Sequence, residues 1–217
     1  MNLIEQMFTL QNELNNHTNG ATWVNGLTKE NRQISWYRCI YMEAAEAIDS
    51  FNWKHWKDIN VEPDWANIKV ELVDIWHFIM SEAIRIGDQS YANQYEKIDA
   101  INDLNSEVLL QTLEKILALS AQAKIENNDN AIRETIDLFF IALSHIGMDT
   151  KELYKRYVVK NQLNTFRQQN GYKEGSYIKI WGSVEDNVVA FNIMDDNPDI
   201  SPSALYQQLE LAYTSLN

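Results

Sequence analysis

Apolar residues recur every three or four positions over long stretches of this chain, and that spacing constrains its fold more than any other feature. Near the N-terminus, Leu3, Met7, Leu10 and Leu14 fall on one stripe of a helix. Only 7 glycines and 3 prolines interrupt the 217 residues, so long helices with few turns are expected. The sequence contains no convincing series of strands and no internal repeat. It therefore predicts an all-α fold.

Capping residues and turns set the expected helix boundaries. Asp64 is suited to begin a helix that Gly87 ends, and Asp149 and Ser201 are suited to begin two later ones. The stretch 88–105 is polar and is expected to form a loop or a loosely packed helix. The predicted helices cover residues 2–15, 34–53, 65–86, 107–125, 130–146, 150–169 and a short segment that starts at Pro202.

Two stretches close to the C-terminus are less regular. Residues 171–182 are aromatic, basic and rich in glycine, which predicts a structured loop rather than a helix. A strand interpretation of residues 158–160 or 188–191 is open, but either strand would be isolated.

The charge of the chain is strongly acidic overall and unevenly distributed. The net charge is −13, from 18 basic and 31 acidic residues, and such a surface repels nucleic acids and anionic membranes. Residues 151–181 nevertheless contain seven basic and only two acidic side chains, a net of +5. This basic segment marks either an anion-binding site or a solvated helix face.

Cysteine usage and hydropathy bear on the cellular compartment. Cys39 is the single cysteine, so an internal disulfide is excluded and a reducing compartment fits. The N-terminus has no apolar core typical of a secretory signal, and no apolar run approaches the roughly 18 residues of a membrane span. A soluble, cytoplasmic protein is expected.

Two pairs of carboxylates carry the strongest chemical signal in the sequence. Glu43 and Glu46 lie three residues apart in one predicted helix, and Glu71 and Asp74 do so in the next, so each pair shares one helix face. Both pairs interrupt otherwise apolar stretches, where a carboxylate is unfavourable by several kcal/mol unless it is paired or bound to metal. Oxygen ligands without His or Cys favour Mg²⁺ or Mn²⁺ over zinc.

The spacing alone leaves a second interpretation open. Carboxylates at these positions can also border an apolar stripe and reach solvent or basic partners. Glu134 and Asp137 show the same three-residue spacing, and periodicity does not distinguish that pair from the other two.

The sequence around these carboxylates resembles a known family. Glu-x-x-Glu followed about 25 residues later by Glu-x-x-Asp is similar to the signature of the all-α nucleoside triphosphate pyrophosphatases. Within that superfamily the chain resembles the dimeric all-α dUTPases, most strongly their epsilonproteobacterial branch. The further matching motifs lie in order at residues 11–15, 50–57, 160–172 and 175–187.

The resemblance implies a metal-dependent hydrolase. It assigns two or three Mg²⁺ ions, replaceable by Mn²⁺, to Glu43, Glu46, Glu71 and Asp74. These ions would offset charge on the phosphates while a water attacks without a covalent intermediate. Glu43 or Glu46 would orient or deprotonate that water, with Glu43 preferred. The reaction would convert dUTP, and dUDP, to dUMP, which keeps uracil out of DNA and supplies dUMP.

The resemblance also assigns the substrate contacts. Phosphate oxygens would be bound by Lys160, Arg167, Tyr172 and Lys179. The base and sugar would be contacted by Gln11, Asn15, Trp56, Asn164 and Asn187, because a buried amide that is mispaired with cytosine leaves groups unsatisfied. Without the resemblance, Gln11 and Asn15 would be interpreted as an exposed polar face.

The same resemblance implies the organisation of the molecule. We expect one domain over residues 1–217, a helical bundle whose C-terminal basic loop closes the site. Residues 1–87 and 130–217 would carry the site, and residues 88–129 would be a variable insertion, a candidate mobile subdomain. The protein is expected to be a homodimer that binds a nucleotide and neither nucleic acid nor membrane. The alternatives are a related pyrophosphatase acting on dCTP or several nucleotides, and a non-enzymatic helical scaffold.

Overall fold

The computed structural model describes residues 1–58, 60–101 and 104–216, and it confirms the all-α fold. Short 3-10 helices cover Trp23–Asn25 and Gln89–Tyr95. No helix among the described residues is both long enough and apolar enough to cross a membrane. The α-helices are α1 Leu3–Asn19, α2 Trp36–Asp49, α3 Trp65–Ile86, α4 Ser106–Glu126, α5 Ala131–His145, α6 Thr150–Gln169, α7 Asp186–Asp196 and α8 Pro202–Thr214.

The capping predictions hold at several helix ends. The side chain of Asp64 accepts a hydrogen bond from the backbone N–H of Asn67 at 3.0 Å, and Gly87 ends α3 in the left-handed conformation. Asp149 accepts from the N–H of Glu152 at 2.7 Å, and Ser201 caps α8. These contacts satisfy N–H groups that have no partner inside their own helix.

Helix α2 is shorter at both ends than the sequence predicts. The N–H of Ile34 donates to the carbonyl of Gly26 at 2.8 Å, which holds that residue in the preceding loop. The carbonyl of Ser50 accepts from the N–H of Asp64 at 3.0 Å, and Phe51 turns inward against Trp65. Long-range contacts therefore limit α2 where local periodicity would extend it.

The C-terminal region contains three elements that the sequence analysis did not predict, two short strands and a helix. Strands β1 (Ile180–Trp181) and β2 (Val184–Glu185) form an antiparallel hairpin, the one sheet in the described part of the chain, and α7 follows it directly. Residues 158–160 lie in α6 and residues 188–191 in α7, so the strand interpretation of both is wrong.

The chain divides into two compact units, the first comprising Met1–Tyr154. Its core is aromatic: Trp76 stacks on Phe139 with ring centroids 4.9 Å apart and meets the edges of Phe8 and Phe140. Helix α3 packs against α2, and α4 packs against both α2 and α5. Half of the stretch 88–129 is thus α4, a core helix of this unit.

The second unit comprises Lys155–Asn217. Its core surrounds Phe166 of α6, whose ring contacts Tyr177, Trp181, Tyr206 and Tyr213. Leu205 and Leu209 of α8 complete this core. The hairpin and the two C-terminal helices thus pack around α6.

Candidate active site

The packing of α2 against α3 brings three of the predicted carboxylates together. One oxygen each of Glu43, Glu46 and Glu71 lies within 4.8 Å of the other two. Glu71 is buried, Glu43 is half-buried and Glu46 is exposed. The three-residue spacing on each helix and the contact between the helices produce this cluster, which a single cation could contact from one side.

The electrostatics of the cluster centre on Glu43. Burial, followed by the negative charges of Asp74, Glu46 and Glu71, raises the pKa of Glu43 to about 8. Asp74 thus lies near enough to influence Glu43, although it is outside the three-oxygen group. Glu71 is oriented by Asn67, whose Nδ2 donates to its Oε1 at 3.1 Å.

These residues fit a hard divalent cation. The donor set consists of carboxylate oxygens, which Mg²⁺ and Mn²⁺ prefer. Because burial and the neighbouring negative charges raise the pKa of Glu43 to about 8, the cluster without a cation favours additional positive charge. Glu43, Glu46 and Glu71, with Asp74 beside them, would hold such an ion.

The competing pair on α5 has a structural explanation. Glu134 is exposed, whereas Asp137 is half-buried and accepts hydrogen bonds from the hydroxyls of Tyr91 at 3.0 Å and Tyr95 at 2.5 Å. Asp137 therefore attaches the segment 89–95 to α5. The structure thus distinguishes this pair from the cluster on α2 and α3, which spacing did not.

The predicted base-binding amides lie on α1 in a buried hydrogen-bond network. Gln11 is 3% exposed and Asn15 is 4% exposed, so the exposed-face interpretation is wrong. Their side-chain nitrogens donate to Ser81 Oγ of α3 at 3.1 and 2.9 Å. Gln11 Oε1 lies 2.6 Å from Nδ1 of His77, and because an amide oxygen carries no proton, the imidazole is the donor.

In the second unit the predicted phosphate ligand Arg167 lies in a buried ion pair. Its Nε and Nη2 donate to the two oxygens of Asp186 at 2.8 and 2.7 Å, and Asp186 is fully buried. Tyr177 donates its hydroxyl to the same carboxylate at 2.8 Å. Lys160 Nζ and Arg167 Nη2 each lie 3.4 Å from Asn187 Oδ1, so four polar side chains converge around Arg167.

The remaining predicted ligands are more exposed or lie at the edge of this group. Asn164 accepts from Arg167 Nη1 at 3.2 Å. Tyr172 is 47% exposed, with the guanidinium of Arg167 5.7 Å from its ring centroid. Lys179 forms a surface ion pair with Glu185 at 3.3 Å. Trp56, in the first unit, is 63% exposed.

A cavity of about 620 Å³ opens elsewhere in the first unit, at the start of α2. Its walls include Gln33, Tyr37, Arg85 and Asp129. None of the four predicted metal ligands lines it, so this cavity and the carboxylate cluster are at different places.

Comparison with known proteins decides between the candidate classes. A family model described as dUTPase matches residues 3–172, which is most of the chain. The chain belongs to the dUTPase family. The matched range contains the four predicted metal ligands and the predicted base-binding amides Gln11 and Asn15, and it ends before Lys179 and Asn187. No curated protein matches the chain.

Membership in the dUTPase family supports dUTP hydrolysis as the general activity and favours it over the non-enzymatic scaffold. Sequence reasoning missed two residues that organise the predicted ligands, Ser81 and Asp186. Ser81 follows His77 by one helical turn, but nothing in the sequence places α1 against that face. Asp186 belongs to the matching motif at residues 175–187, but the sequence does not indicate that it is buried against Arg167.

Proposed function

We propose that this chain hydrolyses dUTP, and also dUDP, to dUMP with Mg²⁺ bound by Glu43, Glu46, Glu71 and Asp74. The single observation that supports this most strongly is the convergence of carboxylate oxygens from α2 and α3 within 4.8 Å, in a chain of the dUTPase family. When bound, the two or three ions would neutralise phosphate charge and lower the pKa of a coordinated water.

The residues of the cluster divide into holding and proton-accepting roles. Glu71 is buried and oriented by Asn67, which suits a rigid ligand. Glu43 is half-buried and lies among Asp74, Glu46 and Glu71, which suits a group that must orient or deprotonate a water held by the cluster. We therefore prefer Glu43 over the exposed Glu46 as the general base.

The proposal keeps the substrate contacts that the family resemblance assigns. Lys160, Arg167, Tyr172 and Lys179 would donate to phosphate oxygens, with Arg167 fixed in orientation by its pair with Asp186. Gln11 and Asn15 would recognise the uracil edge, and the exposed ring of Trp56 would provide a stacking surface. Asn164 and Asn187 would contact the sugar or base.

The proposal extends to assembly and compartment. We expect a homodimer in the cytoplasm, in a reducing environment consistent with the lone Cys39. The expected partners are the nucleotide and a second copy of the chain.

The test is product analysis over a panel of nucleotides. The purified protein is incubated with each of the four common dNTPs, dUTP and dUDP, with Mg²⁺ or with excess chelator, and products are separated by anion-exchange chromatography. We expect dUMP from dUTP and dUDP only when the cation is present. Full turnover under exhaustive chelation would refute the metal assignment, and preferred turnover of dCTP would support the alternative pyrophosphatase.

A further inference from the structure

The hydroxyl of Ser81 in α3 is hydrogen-bonded to two amide side chains of α1, those of Gln11 and Asn15. Ser81 is fully buried, and its Oγ accepts from Gln11 Nε2 at 3.1 Å and from Asn15 Nδ2 at 2.9 Å. The same hydroxyl donates to the backbone carbonyl of His77 at 2.8 Å. A serine hydroxyl has one proton and two lone pairs, so these three bonds use its full capacity.

This arrangement fixes which way round each amide lies. Because the only proton of Ser81 points to the His77 carbonyl, an amide oxygen turned towards Oγ would meet a second acceptor and no donor. Gln11 and Asn15 must both direct NH₂ groups towards Ser81. A flip of either amide would leave buried polar atoms unpaired.

The same constraint passes on to His77. Gln11 Nε2 donates to both Ser81 and Asn15, so the oxygen of the same amide faces His77. Gln11 Oε1 lies 2.6 Å from His77 Nδ1, and this contact requires a proton on that nitrogen. One hydroxyl thus sets the orientation of two amides and the tautomer of one imidazole.

We propose that Ser81 is the positioning residue for base specificity, which rests on the proposed role of Gln11 and Asn15 in contacting the base. Uracil presents an N–H donor between two carbonyl acceptors, whereas cytosine presents a ring-nitrogen acceptor beside an amino donor. An amide of fixed orientation satisfies one of these edges and mispairs with the other. An amide that is free to flip pairs with both.

The kinetic test compares Ser81→Ala with Ser120→Ala. Ser120 lies in α4, is also fully buried and has no hydrogen-bond partner for its Oγ among the described residues, so it is matched in burial and chemistry. We expect Ser81→Ala to lower the ratio of kcat/KM for dUTP to that for dCTP by roughly tenfold, the effect of one lost hydrogen-bond constraint. Ser120→Ala should keep the wild-type ratio, since general loosening of the fold affects both substrates equally.

A spectroscopic test needs no substrate. In ¹⁵N spectra of the ligand-free protein, assigned with a His77→Gln variant, we expect His77 to be protonated on Nδ1, and Ser81→Ala to introduce the other tautomer. The assignment of Ser81 would be overturned if Ser81→Ala kept the wild-type tautomer of His77 or the wild-type specificity ratio. It would also be overturned if the wild-type protein showed no preference for dUTP over dCTP. A wild-type protein that leaves dUTP intact would instead refute the proposed function, while the tautomer measurement would still report on the network.

Discussion

Among single residues, Glu43 connects the structure of the cluster most directly to a measurable quantity. Its pKa rises from an ordinary 4.5 to about 8 in the metal-free protein, first through burial and then through Asp74, Glu46 and Glu71. Between these values the folded state holds a proton that the unfolded state has released. Stability of the metal-free protein therefore falls as pH rises through this window.

Replacement of Glu43 by Gln removes this titrating charge. In urea denaturation with chelator present, we expect Glu43→Gln to unfold with a higher free energy than wild type at about pH 8 and a similar one at about pH 5. Glu134→Gln, at an exposed position, should follow wild type at both values. A wild-type stability that rises across this window would contradict the raised pKa.

At the same scale, the residues that sequence could predict are those whose signal is local. The three-residue spacing of two carboxylates in apolar surroundings identifies Glu43 and Glu46, and likewise Glu71 and Asp74. Ser81 carries no such signal, because its role depends on α1 lying against α3. A side chain that acts by positioning another residue can be identified only once the packing of the helices is known.

At the scale of elements, α7 shows why the C-terminal region was incompletely predicted. Its buried stripe consists of Asp186, Ala190 and Met194, one charged, one small and one large apolar residue. That stripe produces weak periodicity, whereas α3 buries a long apolar face and was predicted from Trp65 to Ile86 as observed. A helix that packs through a buried ion pair is not predicted by the spacing of its apolar residues.

The ion pair between α6 and α7 leads to a stability prediction. Asp186→Ala leaves the buried guanidinium of Arg167 without its carboxylate, and breaking a buried pair costs about 3–5 kcal/mol. We expect that loss in the free energy of unfolding of the full chain, measured by chemical denaturation followed by circular dichroism. Asp196→Ala, an exposed position at the end of the same helix, should change stability little. Equal effects of the two substitutions would show that the pair is not a stabilising element.

At the scale of the whole molecule, we expect a homodimer. Apolar side chains such as Met42, Ile125 and Ile141 remain exposed in the first unit, and two-fold pairing would bury an additional helical stripe. Light scattering at micromolar concentration should give twice the chain mass of 25.3 kDa. A mass of one chain would refute this prediction.

Nucleotide binding should also order the C-terminal basic loop. Residues 171–175 form turns and residues 176–179 have no regular secondary structure; the proposed phosphate ligands Tyr172 and Lys179 lie within these two stretches. We expect a non-hydrolysable dUTP analogue with Mg²⁺ to slow hydrogen exchange at the amides of residues 171–187. Tight binding of the analogue without added protection there would mean that the site is preformed.

The central claim is that the carboxylates of α2 and α3 carry the chemistry. The most direct measurement is kcat/KM for dUTP with Mg²⁺ in Glu46→Gln and Asp74→Asn, with Glu134→Gln as the matched control and helical content checked by circular dichroism. We predict that the first two variants lose at least about a hundredfold in activity while remaining folded, and that Glu134→Gln keeps nearly all of it. If Glu46→Gln or Asp74→Asn retains most of the activity, or Glu134→Gln loses as much as they do, the site has been placed on the wrong carboxylates.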